Sequence, residues 1–304
     1  MEDYNKIVES LGVKFIAGKS VEILHPVSIE NLYHIENAII LLNKGEIRFG
    51  DEDEVVKEGE ILFIPSGNSL TITYGEGHHV RMNNDDFIGA KEKYLKSHNG
   101  PEELTEQNFS IITFDARVFD TVSFFNSLDI PAFRLRDKVI SQGIRDVIQE
   151  TISDEVGNNR IVKICTEQLV ILCLRYIIKN QLFVEQLATN STYFKDPRLI
   201  NIFSYIKNNI GGDLSNKVLA NVANVSEDYV GQYFKMLTGI NPQDYIEYQR
   251  MEEAVSLLRT SKKSIRVIGK DVGYKDTAYF CRRFKMMFGI PAGKMRRRES
   301  LMNV

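Results

Sequence analysis

The stretch Tyr229-Val230-Gly231-Gln232-Tyr233-Phe234-Lys235 recurs fifty residues later as Tyr279-Phe280-Cys281-Arg282-Arg283-Phe284-Lys285. Each copy is followed by a Gly-Ile pair, Gly239-Ile240 and Gly289-Ile290, and each pair leads to a proline, Pro242 and Pro291. Upstream, Leu219-Ala220 through Val225 matches Ile268-Gly269 through Tyr274. A fixed-period repeat is one supersecondary unit used twice, so its reading governs the region around it. The unit reads as a helix, a tight turn and a second helix.

In the first copy, Leu219 and Val222 lie on a helix that ends at Ala223-Asn224-Val225. Ser226 suits the N-cap of the next helix, and Glu227 and Asp228 suit its positive end. Val230 and Phe234 are four apart and share an inward face. That leaves Asp228, Gly231, Gln232 and Lys235 outward. In the second copy Gly273 permits the turn and Lys275-Asp276 starts the helix. Phe280 and Phe284 point inward, while Thr277, Ala278, Cys281, Arg282 and Lys285 form the outward stripe. An exposed stripe on the second helix of such a pair is the geometry of a helix laid in a DNA major groove. Arg282 can address guanine O6 and N7, a contact worth about 1–3 kcal/mol of discrimination. Thr277 and Ala278 can meet a thymine methyl. The candidate DNA contacts are therefore Ser226, Asp228, Gln232, Lys235, Lys275, Thr277, Ala278, Arg282 and Lys285. Between the copies, Pro242 to Leu258 reads as one helix with Tyr245, Tyr248, Met251, Val255 and Leu258 on its apolar side. Readers held roughly 34 Å apart by such a helix would enter successive major grooves.

Charge agrees with a polyanion partner. Residues 197–304 hold 18 Lys and Arg against 10 Asp and Glu, while residues 1–196 hold 20 against 31. The formal net charge of −3 hides this split between a basic third and an acidic remainder.

The rest of the 304 residues predicts a different architecture. Residues 20–82 read as short strands broken by turns at Asn43-Lys44-Gly45, Glu58-Gly59-Glu60, Pro65-Ser66-Gly67 and Gly75. Glu46 to Phe49, Ile61 to Ile64, Leu70 to Tyr74 and Phe109 to Phe114 are the runs, and their spacing predicts a small barrel or sandwich. Ile47, Phe49, Leu62, Ile64, Ile72 and Tyr74 alternate along them and are the candidate lining of a ligand pocket. From Arg136 the period becomes helical, with Val139, Gly143, Val147 and Ile148 on one face. Ile161 to Leu187 is apolar enough to need covering by the strands or by a second subunit; Ile164, Val170, Ile171, Leu174, Ile177 and Ile178 mark a dimer helix. Asn190 to Pro197 reads as a linker.

Other chemistries lack their residues. No run reaches the roughly 18 apolar residues of a membrane helix, and Met1 to Ser10 lacks a secretory pattern. Cys165, Cys173 and Cys281 have no CxxC spacing and read as reduced thiols of a cytoplasmic protein, the first two buried. His25, His34, His78, His79 and His98 form no His-x-His pair, so no metal or other cofactor is expected. Asp51-Glu52-Asp53-Glu54 reads as a solvated turn. No phosphate loop or nucleophile elbow occurs, and no enzyme activity is expected.

From Leu214 to Arg298 the chain resembles the DNA-binding domain of the AraC/XylS family of bacterial regulators. The residues that carry the resemblance include Leu219-Ala220, Ser226, Tyr229, Phe234-Lys235, Gly239, Pro242, Arg250, Ile268, Val272-Gly273-Tyr274, Arg283-Phe284-Lys285, Phe288-Gly289 and Pro291. Gly269 stands where the family commonly has alanine, and Met295 where it commonly has an aromatic residue. Asp228 and Gly231 weaken the first reader, leaving Gln232 and Lys235; an aspartate accepting from cytosine N4 is the alternative. The resemblance implies an α+β chain: a cupin-like sensor barrel over 1–135, a helical dimerisation segment over 136–190 and an all-α DNA-binding domain over 191–304 with two helix-turn-helix units. It implies a homodimer on double-stranded promoter DNA, usually an activator, with RNA polymerase and a small-molecule effector as further partners and no membrane association. Two rival readings are a metal-dependent cupin enzyme with a DNA-targeting tail, and a regulator controlled by a protein partner. Lys294, Arg296, Arg297 and Arg298 are candidate phosphate contacts.

Overall fold

A computed structural model of the chain describes residues 8–9, 11–98, 106–118, 122–187, 196–238 and 240–296. Residues 1–7, where no secretory pattern was expected, most of the 190–197 linker, Gly239, Arg297 and Arg298 lie outside them. The chain divides into two compact units, one over residues 8–184 and one over the C-terminal remainder.

The first unit is built on two sheets. Strands β1 (Leu11–Ile23), β3 (Asn37–Lys44), β6 (Ile61–Ile64), β9 (Leu95–His98), β10 (Asn108–Val118) and β12 (Phe133–Leu135) run in the order β12-β6-β3-β10-β1-β9, and β11 (Val122–Ser123) pairs with β10. The second sheet runs β5 (Glu54–Val56), β4 (Ile47–Phe49), β7 (Ser69–Tyr74), β2 (Val27–Tyr33), β8 (Val80–Asn83). β10 shows why these residues make strands, because from Ser110 to Val118 buried and half-buried positions alternate with the period-2 pleat. Of the barrel and the sandwich, the strands show two separate sheets, and no pairing closes them among the described residues. The two sheets share one interior. Ile40, Leu62 and Ile64 from the first meet Ile47, Phe49, Ile72 and Tyr74 from the second in a single buried cluster, and Tyr74 stacks on Phe109 at 5.1 Å.

Two helices complete this unit against β1, α3 (Lys138–Thr151) and α4 (Asn158–Lys179), after α1 (Asn84–Tyr94) and the short α2 (Phe124–Ser127). The face that α3 buries is Ile140, Ile144, Val147 and Ile148. Val139, read as inward, is 62% exposed; the phase set by the Asp137 cap, which accepts from the amides of Val139 and Ile140, turns it out. Gly143 admits α4, since a Cβ there would sit 3.3 Å from Leu169 Cδ1. The expected helix to Leu187 is shorter. It ends at Lys179, and Gln181 and Phe183 take positive φ, which lets Phe183 meet Phe133 edge-on at 5.1 Å. Helix α1 was not anticipated, because Asn83 caps a mostly polar segment that buries only Asn84, Phe87 and Tyr94.

The second unit is helical: α5 (Pro197–Asn208), α6 (Asn216–Ala223), α7 (Glu227–Thr238), α8 (Pro242–Thr260), α9 (Ile265–Asp271) and α10 (Thr277–Phe288). α5 went unread in the sequence, although Asp196 caps it, Pro197 starts it and Leu199, Ile202, Phe203 and Ile206 recur at helical spacing. Two matched aromatic cores hold the unit. Phe203, Phe234 and Tyr245 have ring centroids 5.0–5.6 Å apart; Phe280 lies 5.4 Å from Tyr274 and 5.8 Å from Phe284, which lies 4.5 Å from Phe288. Met295 is fully buried. Gly269 is fitted to Phe280, whose ring a Cβ would approach to 3.3 Å.

Candidate nucleic-acid interface

Each copy of the repeat builds a helix, a left-handed turn residue and a second helix. Asn224 (φ 53°) makes the first turn and Gly273 (φ 90°) the second, positions where asparagine and glycine are tolerated best. The carbonyl of Ser226 accepts from the amides of Tyr229 and Val230 at the start of α7. Asp276 caps α10 by accepting from the Tyr279 amide at 2.7 Å.

The buried and exposed faces fall where the spacing predicts. Val230, Phe234, Phe280 and Phe284 are wholly buried. Ser226, Asp228, Gln232 and Lys235 are exposed on or beside α7; Lys275, Ala278, Arg282 and Lys285 are exposed on or beside α10, with Thr277 half-buried. Gly231 is half-buried, and a Cβ there would meet only Asn216 Nδ2 at 3.6 Å, so packing leaves room for a side chain. Cys281 and Cys165 are half-buried, and Cys173 is buried, its thiol pushed up to about 12 by desolvation.

Several cations of this unit are tied to neighbours. Arg198 pairs with Asp196 at 2.9 Å, and this ion pair holds the Asp196 carboxyl down to about 2. Lys263 pairs with Asp271 at 2.7 Å. Arg283 grips Glu247 through Nε at 2.6 Å and through Nη2, and Tyr274, pushed up by burial and by Glu247, lies beside that pair. Arg296 donates through Nη2 to the carbonyl of Lys263. By contrast, Lys235, Arg282 and Lys285 hold no carboxylate among the described residues. Cations left unpaired on the outer face of paired helices are available to phosphate oxygens and base edges.

Sequence reasoning missed the flank of each reader. Tyr229 and Met236 on α7, and Tyr279 and Met286 on α10, are 43–72% exposed. The fifty-residue repeat aligns them pairwise, and that alignment was the available signal.

Among the described residues no group of three or more His, Cys, Asp or Glu could hold a metal. His98 instead meets Glu22 at 3.0 Å, and His78-His79 falls in the loop before β8. No helix among the described residues is long and apolar enough to cross a membrane.

Known proteins resemble this chain in sequence and fold. A family described as a helix-turn-helix domain matches residues 219–298. An uncharacterised HTH-type transcriptional regulator of Haemophilus influenzae is 24% identical over 271 residues, covering 86% of each chain. The HTH-type transcriptional activator RhaS of an Enterobacter species is 21% identical over 237 residues, 75% of this chain and 81% of RhaS. Longer Staphylococcus aureus regulators also match, and the chain spans 30% of their length. In fold, ToxT of Vibrio cholerae aligns over 95% of this chain and 98% of its own at 12% identity, with a TM-score of 0.55. A second ToxT structure, described as bound to unsaturated fatty acid, aligns over 94% and 95% at 11% identity with a TM-score of 0.52.

Proposed function

We propose that this chain, a DNA-binding transcriptional regulator of the AraC type and not an enzyme, reads duplex promoter DNA with α7 and α10 in successive major grooves. The observation that carries the reading is the repeated face: two copies of one motif present the same helix surface outward, with Lys235, Arg282 and Lys285 unpaired on it among the described residues. Arg282 supplies base discrimination, and Lys235 and Lys285 supply phosphate affinity. Ser226, Asp228, Gln232, Lys275, Thr277 and Ala278 complete the surface. The test is selection of bound duplexes from a random-sequence library with the full chain. Two sequence blocks about one helical turn apart are expected. A single block, or none, would contradict the reading.

The protein works in the cytoplasm as a dimeric activator, with RNA polymerase as its target once bound; RhaS, named an activator, supports that sign. The dimer forms through the outer face of α4, with α3 beside it; of the residues read as the dimer face, Val170, Leu174 and Ile177 are buried inside this unit. Val139, Ile161 and Ile164 are 45–62% exposed on the outer face, beside a groove of about 360 Å³ lined by Val139, Gly143, Cys165, Leu169 and Leu172. Sedimentation of the full chain should give a dimer at micromolar concentration and a monomer for Ile164→Glu. A wild-type monomer would remove the dimer from the account.

The N-terminal unit takes the signal. A small apolar molecule, bound without metal among Ile47, Phe49, Leu62, Ile64, Ile72 and Tyr74 between the two sheets, is the proposed input. The unsaturated fatty acid bound to ToxT supports this class of ligand. Those six side chains now pack on one another, so a ligand has to part the two sheets. It acts only through differential affinity for two states. A metabolite screen should raise the melting temperature; no shift from any compound favours control by a protein partner through this unit.

A further inference from the structure

The two reading units touch at a seam beside the middle of α8. On one side is the α5–α6 loop, which leads into the first unit; on the other is the end of α9, in the second. Gly211 sits so close that a Cβ there would be 2.2 Å from the backbone oxygen of Asp271. Arg250, in the middle of α8, crosses the same seam. Its Nε donates to the carbonyl of Ile210 at 3.0 Å and its Nη2 to the carbonyl of Gly212 at 2.9 Å. The other side of the guanidinium lies against Gly273, where a Cβ would approach Cζ and Nη2 to 2.8 Å. One turn earlier on α8, Glu247 holds Arg283 of α10 at 2.6 Å and accepts from the Tyr274 hydroxyl at 3.5 Å.

This arrangement does more than fill space. A guanidinium is planar and presents its donors as a rigid fork, so satisfying two carbonyls of one loop fixes that loop's position against α8. Gly273 is the turn residue that sets where α10 starts, and the arginine plane rests on it. The position of α6 and α7 is thereby referred to the same helix, within one turn, as the position of α10.

We infer that Arg250, braced against Gly211 and Gly273, is the positioning residue that sets the half-site spacing this protein accepts, by locking the two readers into one rigid block. The inference rests on the two-reader function proposed above. Half-site spacing is a geometric property: each inserted base pair turns the second site by roughly 35° and moves it by about 3.4 Å. A rigid block should therefore reject inserted base pairs, and a loosened one should tolerate them.

The experiment takes a duplex obtained by selection and compares it with versions carrying one, two or three extra base pairs between the blocks, and with each block alone. The full-length wild type should bind the native spacing at least tenfold more tightly than the two-base-pair insertion. Arg250→Met keeps the aliphatic stem but removes both donors. It should bind each single block as the wild type does, which also reports that the unit is folded, while its insertion penalty falls below threefold. Arg250→Lys, with one point charge in place of a fork, should fall between. Gly211→Ala forces the seam apart and should move the preferred spacing without changing single-block affinity. If Arg250→Met and Arg250→Lys both keep the wild-type insertion penalty, or if Arg250→Met loses single-block binding while Arg250→Lys and Gly211→Ala keep the native spacing preference, the positioning role is overturned. If the wild type itself binds two blocks no better than one, the two-reader function fails, and the role of Arg250 with it.

Discussion

Phe284→Ala should cost the C-terminal unit about 3–5 kcal/mol of stability, the usual range for removing a buried phenylalanine. Phe284 is wholly buried, with Phe280 at 5.8 Å and Phe288 at 4.5 Å. All three rings project from one face of α10, so the cavity opens directly behind the reader that carries Arg282. Neighbouring rings held by their own helix can collapse only partly, which keeps the cost high. Chemical denaturation followed by a probe in the C-terminal unit measures this directly. Met286→Ala, two residues on and 72% exposed, should stay within about 0.5 kcal/mol of the wild type. A loss below about 1 kcal/mol for Phe284→Ala would mean that the second aromatic core does not hold α10 as described.

Arg282→Ala should lower affinity for a selected duplex by roughly 5- to 150-fold, about 1–3 kcal/mol, and leave binding to random duplex nearly unchanged. The reason is its freedom: Arg283 beside it is tied to Glu247, while Arg282 is exposed and holds no carboxylate among the described residues. Lys235→Ala is the informative contrast. A phosphate contact should weaken all sequences alike and reduce the slope of log affinity against log salt by about one. Titrations at several salt concentrations separate the two. Equal losses on selected and random duplex for Arg282→Ala would assign that side chain to the backbone instead.

The legibility of this chain followed the range of the interactions involved. The reading helices were visible because their signal is local: Val230 with Phe234 and Phe280 with Phe284 declare an inward face within one turn, and the repeat states it twice. Their exposed partners, Gln232, Lys235, Arg282 and Lys285, then follow from helical phase alone. Helix α5 carries the same kind of signal, a cap, a proline and a 3–4 spacing, but outside the repeat, where nothing states it a second time. The phase of α3 turned on a single capping aspartate, which put Val139 outside and Ile140 and Ile144 inside. What sequence could not supply was non-local pairing. Whether the N-terminal strands close or form two sheets depends on registers such as Ile111 with Ile40 and Ile29 with Ile72, which join residues distant in the chain. The bracing of Arg250 against Ile210, Gly212 and Gly273 was invisible for the same reason, though each residue was in view.

The measurement closest to the centre of this account is chemical interference on a selected duplex bound by the full-length protein. Methylation of guanine N7 in the major groove should block binding at two clusters on one face of the duplex, about 10 base pairs apart. Arg282→Ala should erase interference at one guanine in one cluster and leave the other cluster intact. A single cluster, or interference confined to the minor groove, would contradict the claim that α7 and α10 read successive major grooves.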